Sequence, residues 1–134
     1  VTLETIMLWM MLCIGNVQAY DRKLYADAIL RATPDVQERR LLTVTAWVGN
    51  WFHLHSRRHT TPYFDVTEYH AAHPEVEITL DRGAALALRF LRLHHEVRCR
   101  GAGWATALGR YHTGVCGIDR LAVRQMAAMR GMQP

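Results

Sequence analysis

Apolar residues along this chain recur at three- and four-residue intervals almost throughout, the period of helices that bury one face. Tyr25, Ala28, Ile29 and Ala32 form the first clear stripe, which stops at Thr33-Pro34 because proline disfavours helix in the residue before it. A second helix is expected from about Asp35 to near Phe52, with Leu41, Val44, Val48 and Trp51 on one face and Arg39 and Arg40 turned outward. Asp81 is a candidate N-cap for a third, in which Leu86, Phe90, Leu93 and Val97 make the apolar stripe and Arg89, Arg92 and Glu96 lie opposite. Gly101 and Gly103 interrupt the chain before a fourth, where Trp104, Leu108 and Tyr111 recur at i, i+4 and i+7 until Gly114 and Gly117 end it. A fifth carries Ile118, Leu121, Ala122 and Met129 on one face. Between the second and third helices, "HLHSRRHTTPYFDVTEYHAAHPEVEIT" keeps no period, and an irregular segment that long inside a domain is more often a binding loop than a linker. No segment alternates enough to be read as a strand, although Val76 to Leu80 could form a short one. The expected architecture is mainly α, a compact helical domain with one long irregular loop.

The first residues, "VTLETIMLWMMLCIGNVQAY", leave two readings open. Ile6 to Ile14 followed by Val17-Gln18-Ala19 has the form of a signal-peptide core and cleavage site, although no Lys or Arg precedes it and Glu4 sits at its edge. It is equally the pattern of a first apolar helix buried in the core, and it is too short to span a bilayer. Residues 1–19 are therefore a leader or a first helix, and 20–134 make one domain, in keeping with a length of 134 residues.

Half of the residues are apolar and 21% are charged, the balance of a folded globular chain. The net charge of +4 comes almost wholly from arginine, since Lys23 is the only lysine. It suits an anionic partner, nucleic acid or cell wall, and suits equally a genome that writes Arg for Lys. Cys99 and Cys116 flank one helical segment, and a bond between them would close a loop of about 18 residues worth roughly 3 kcal/mol. Such a bond needs an oxidising compartment, which favours a periplasmic or secreted location; Cys13 is left over.

Candidate chemistry narrows the field further. His53, His55 and His59, or His70 and His73, have tolerable spacing for a metal, but neither cysteines nor an HExxH helix accompany them, so no metal or other cofactor is expected. The basic "HSRRH" raises nucleic acid, yet the arginines are spread over all the helices and not along one recognition face, which argues against it. Ser56, the only serine, lacks the strand-turn-helix context of a nucleophile.

Three separated segments carry the best-organised signal: "LLTVTAWVGNWF" on a helix, "TPYFDVTEYH" in the loop and "WATALGRYHTG" on a later helix. Over roughly Tyr20 to Arg130 the chain resembles a small lytic transglycosylase domain of the lysozyme-like superfamily, from bacteria or their phages. "ALGRYHTG" is similar to the family's Ala-Tyr-Asn-x-Gly signature, with Tyr111, His112 and Gly114 in its positions. "DVTEY" places Glu68 where the family often has the glutamine of Gly-Leu-Met-Gln. Aligning Ala46 and Phe52 with Ala-x-x-Glu-Ser-x-Phe puts Gly49 and Asn50 in place of the Glu-Ser pair.

The resemblance implies a lysozyme-like fold, peptidoglycan glycan strands as partner and no cofactor, in a monomer. It also implies glycan binding by Gly49, Asn50, Tyr111, His112 and Gly114. Glycosidic cleavage needs a carboxyl that protonates the leaving oxygen, and glycine cannot serve. Either catalysis is lost and the cleft only binds, or another carboxylate, Glu68 above all, reaches the bond from the loop.

The plainer readings stay open beside these. Tyr111 continues the Trp104, Leu108 stripe and would be a core tyrosine with a satisfied hydroxyl; His112 would be a helix-end residue and Glu68 a solvated acid. Trp47 and Trp51, one turn apart, read more readily as a core pair than as a sugar-stacking platform. The rival from another class is a non-catalytic basic helical module, binding nucleic acid or serving in an assembly.

Overall fold

Prolines, glycines and short polar side chains set most of the helix ends where their chemistry requires. The structure, a computed structural model, describes residues 1–14, 19–50, 52 and 62–134, with the backbone alone at 19, 20, 49 and 50. Among the described residues it is mainly α, with seven helices and no strand: α1 (Leu3–Cys13), α2 (Ala19–Ala32), α3 (Val36–Asn50), α4 (Thr67–Ala72), α5 (Leu80–Leu93), α6 (Gly103–Thr113) and α7 (Arg120–Arg130). The one segment that could have formed a short strand, 76–80, does not, and Leu80 opens α5 instead. A 3₁₀ turn, Tyr63–Asp65, and α4 give order to part of the stretch expected to be irregular. His53, His55, His59, Ser56 and Trp51 lie outside the described residues, as does the Val17-Gln18 pair of the leader pattern.

Helix α3 is the centre of the domain. It packs against α1, α2, α5, α7 and the 3₁₀ turn, and Leu41, Leu42, Val44 and Ala46 are fully buried. Thr43 and Thr45 are buried too, and each hydroxyl donates to the carbonyl one turn back, Arg39 O and Leu41 O, both at 2.8 Å. That bond is how a mid-helix threonine enters an apolar core without an orphaned hydroxyl. A helix buried on so many sides leaves no outward face for Arg39 and Arg40, and the expectation that they point to solvent fails. Arg39 turns back to donate to Thr33 O at 2.7 Å and Leu30 O at 3.2 Å, satisfying carbonyls that the end of α2 leaves open. Arg40 lays its guanidinium over the Trp9 ring, 5.6 Å from the centroid.

Helix α1 is capped by Thr2, whose hydroxyl accepts from Thr5 N. It buries Ile6, Trp9 and Met10 against α2 and α3, and Trp9 Nε1 donates to Gln133 O at 2.6 Å. Its other side leaves Leu8, Met11 and Leu12 exposed, so the helix is core on one face only.

Helix α5 departs most from its expected pattern. Its N-cap is Thr79, accepting from Arg82 N, while Asp81 is drawn into an ion pair with Arg31. The buried row is Gly83, Ala84, Ala87, Leu88 and Leu91; Leu86, Phe90 and Leu93 are only partly buried and Val97 is 60% exposed. Small residues in that row let α2 and the 3₁₀ turn approach closely: a Cβ on Gly83 would lie 2.8 Å from Tyr63 O. Beyond Leu93 the helix widens into a π turn, His94–Arg98, closed by Cys99 N donating to His94 O at 2.7 Å. One extra residue in a turn rotates the chain beyond it by about 100°, which ends the stripe before Val97; His94, at the head of the turn, continues the buried row of Ala87 and Leu91 and is 2% exposed.

The pairing that sequence leaves open is made: a disulfide joins Cys99 at the end of the π turn to Cys116 in the loop after α6, with Cα atoms 5.7 Å apart, and Cys13 is free. Helix α6 ends at Gly114 in the left-handed conformation, φ 81°. Helix α7 starts one cap later than its apolar pattern suggested, at Asp119, which accepts from Ala122 N, so Ile118 lies outside it and is exposed. No helix among the described residues is long and apolar enough to cross a membrane.

Candidate functional site

The groove begins with two residues in an unusual backbone conformation. Phe64 (φ 60°) and Asp65 (φ 52°) are consecutive non-glycine residues in the left-handed region, a state that persists only where the surroundings enforce it. Enforcement comes from three sides. The Phe64 ring is fully buried, 5.7 Å from the Tyr25 ring; the turn is seated on Gly83 of α5; and the Tyr111 hydroxyl donates to Phe64 O at 2.6 Å. The turn ends with the Asp65 carboxylate accepting from Thr67 Oγ1 at 2.7 Å.

Around this turn α4, the α5 end with its π turn, and α6 enclose a groove of about 510 Å³. It is lined by Asp65, Val66, Thr67 and Glu68 on one side and by Phe90, His94, Arg110, Tyr111, His112, Thr113 and Gly114 on the other. That size is within the range of small-molecule and oligomer subsites. Four of the six expected site residues, Glu68, Tyr111, His112 and Gly114, thus meet in one place. Gly49 and Asn50 form the last residues of α3, and their surroundings lie outside the described residues.

The polar ends of the α6 pair turn inward. Tyr111 spends its hydroxyl on the Phe64 carbonyl, and burial, followed by the charges of Asp65 and Glu68, pushes its ionisation well above the ordinary tyrosine range. It is therefore a donor that holds the turn, as the core reading of its helical stripe expects. His112 Nε2 meets Gln125 Oε1 at 2.6 Å, and the fully buried Gln125 donates to Val44 O at 3.0 Å, so α3, α6 and α7 are linked through one side chain. Because Gln125 presents its oxygen, His112 donates from Nε2, and its Nδ1 finds no hydrogen-bond partner among the described residues.

Removal of the Tyr111 hydroxyl gives a direct check on the turn. Tyr111→Phe leaves the Phe64 carbonyl without a donor and is expected to cost about 1–3 kcal/mol, read as a lower denaturant midpoint with an unchanged slope.

Charge in the groove is mixed. Glu68 is exposed along two thirds of its side chain (66%) and lies 3.8 Å from Arg98 Nη1, a loose pair. Asp65 is more enclosed: burial raises its carboxyl above the usual aspartate range, opposed by the Thr67 hydrogen bond and by neighbouring His112. His94 is held neutral, its pKa lowered to about 4 by burial and then by Arg98 and Arg110, with Glu68 opposing. Its Nδ1 is also without a hydrogen-bond partner among the described residues. Asp65, His94 and Arg110 were not singled out by sequence. The signal for Asp65 is an aspartate, a residue that tolerates left-handed turns, three positions after Pro62; nothing marks Phe64 for that conformation.

No group of three or more metal-ligating side chains occurs among the described residues. Searches against protein-family models, curated proteins and solved structures give no match for this chain.

Proposed function

We propose that this domain binds peptidoglycan glycan strands in the groove between α4, the π turn and α6, as a lytic-transglycosylase-like domain whose usual helix-borne glutamate is replaced by Gly49. The observation that carries the reading is convergence. The segments that bear the resemblance lie far apart in sequence, yet α3 packs on the 3₁₀ turn while Tyr111 of α6 bonds that same turn. The groove offers apolar contact from Val66 and Phe90 beside carboxylates, imidazoles and a guanidinium, a mixture suited to sugars, whose faces are apolar and whose edges carry hydroxyls. The Cys99–Cys116 bond supports an oxidising compartment, periplasmic or extracellular, where the polymer is found.

Several arginines that could form a nucleic-acid face are otherwise engaged: Arg31 with Asp81, Arg39 with the α2 carbonyls, Arg92 with Glu38, and Arg124 over Trp47. The test is co-sedimentation of the purified chain with insoluble peptidoglycan, competed by soluble oligosaccharides of the same sugars. Saturable, competable binding is expected. Absence of sedimentation, with salt-sensitive binding to DNA in its place, would sink the reading.

A further inference from the structure

We propose that Asp65 is the proton donor of this groove, so that the chain cleaves the glycan it binds through an acid carried by the strained turn instead of by the end of α3. The inference rests on the glycan reading above and adds a reaction to it.

Four observations point to Asp65. It lines the groove from a left-handed backbone that no local preference of Phe64 would choose. Strain of this kind is maintained only by surrounding contacts, here the Tyr111 hydroxyl and the close seat on Gly83, and such outliers cluster at functional sites. Its carboxyl is partly withdrawn from water and its affinity for a proton is raised, whereas Glu68 stands largely in solvent. Finally, His94, which lines the same groove, is 2% exposed and carries a buried ring nitrogen with no hydrogen-bond partner among the described residues, an unsatisfied polar atom of a kind that is rare outside functional sites.

The step balances without a cofactor. The Asp65 carboxyl gives its proton to the glycosidic oxygen; the C1–O bond breaks with its electron pair remaining on that oxygen, which departs as a hydroxyl. The cationic C1 is captured by water or by the sugar's own C6 hydroxyl, and the proton released by that nucleophile returns to the Asp65 carboxylate. The groups whose charge bears on Asp65 are His112, which lowers its proton affinity, with Glu68, Arg110 and the neutral His94 lining the same groove and Tyr111 buried behind it.

The test compares the wild-type chain with Asp65→Asn and Glu68→Gln. Asparagine tolerates the left-handed region and can still accept from Thr67, so Asp65→Asn is expected to fold. Each protein is assayed for sedimentation with peptidoglycan and, by mass spectrometry, for soluble fragments with new reducing or anhydro ends. Wild type should bind and release fragments; Asp65→Asn should bind within about threefold and release them roughly 100-fold or more slowly. Binding by wild type without cleavage, or cleavage by Asp65→Asn at the wild-type rate, overturns the role of Asp65 and leaves the glycan reading standing. Failure to bind removes the glycan reading and the cleavage proposal with it.

A second measurement needs no substrate. A raised folded pKa means that protons favour the folded state, so the stabilising contribution of Asp65 is present below its unfolded pKa and lost as pH rises through the folded value. Asp65→Asn should therefore raise Tm at pH 7 relative to wild type, with the gain vanishing as pH falls below the aspartate range. A gain that is absent at pH 7, or an Asp65 carboxyl that titrates by NMR in the ordinary aspartate range, overturns the proposal.

Discussion

Gly109→Ala is expected to lower stability by about 3 kcal/mol or more, a magnitude reserved for overpacking that backbone cannot relieve. Gly109 is buried in the middle of α6, and a Cβ there would lie 1.6 Å from Gly117 O and 2.8 Å from Gly117 C. A flexible side chain could swing away, but a carbonyl cannot. The loop that carries it is pinned on both sides, by the Cys116 disulfide one residue earlier and by Asp119, which caps α7 two residues later. For a domain of this size the expected fall in Tm is roughly 10 °C, measured by calorimetry. A fall of under 2 °C would mean that Gly117 does not press on α6 and that the loop is placed otherwise. The substitution would also disturb the groove, because His112 and Gly114 at the end of the same helix line it.

Loss of the Cys99–Cys116 bond is the second large effect. The residues it spans number 17 in sequence separation, and closing a loop of that length is worth roughly 3 kcal/mol on the chain-entropy estimate. The Cys99→Ser/Cys116→Ser double variant should lose about that much, checked by denaturant unfolding against the oxidised wild type. The bond also ties the turn carrying His94 and Arg98 to the loop beyond Gly114, so the groove that His94 and Gly114 line should loosen along with the fold. Because the same bond holds Gly117 against α6, the two changes should not add. Gly109→Ala is expected to cost distinctly less in the serine background, where the loop can lift away. Strict additivity would show that the disulfide does not restrain Gly117.

The elements that sequence displays best are those whose ends are set by local chemistry. Pro34 divides α2 from α3, Gly114 stops α6 in the left-handed state, and the spacing of Cys99 and Cys116 matches one helix between them. What stayed hidden depends on tertiary partners. Arg39 and Arg40 look solvent-facing until α3 is known to be surrounded, and Asp81 looks like a cap until Arg31 claims it. The α5 stripe is obscured in sequence because its buried row consists largely of glycine and alanine, residues that carry little hydrophobic signal but permit close approach. In the site, Glu68, Tyr111, His112 and Gly114 were found by their motif. Asp65 and His94 were not, since one depends on a backbone state that Tyr111 and Gly83 enforce and the other continues the buried row of small residues along α5.

That widened turn makes chain length in the 94–98 segment a constraint of its own. Deleting a single residue there would restore ordinary winding, and everything downstream would swing through roughly 100° about the helix axis. Cys99 would then face away from its partner thiol, and α6 would be carried off the face of α5 on which it now packs. Descendants of this gene could exchange many of these five side chains, but a shortened version would lose its covalent staple and the groove beside α6 in one event.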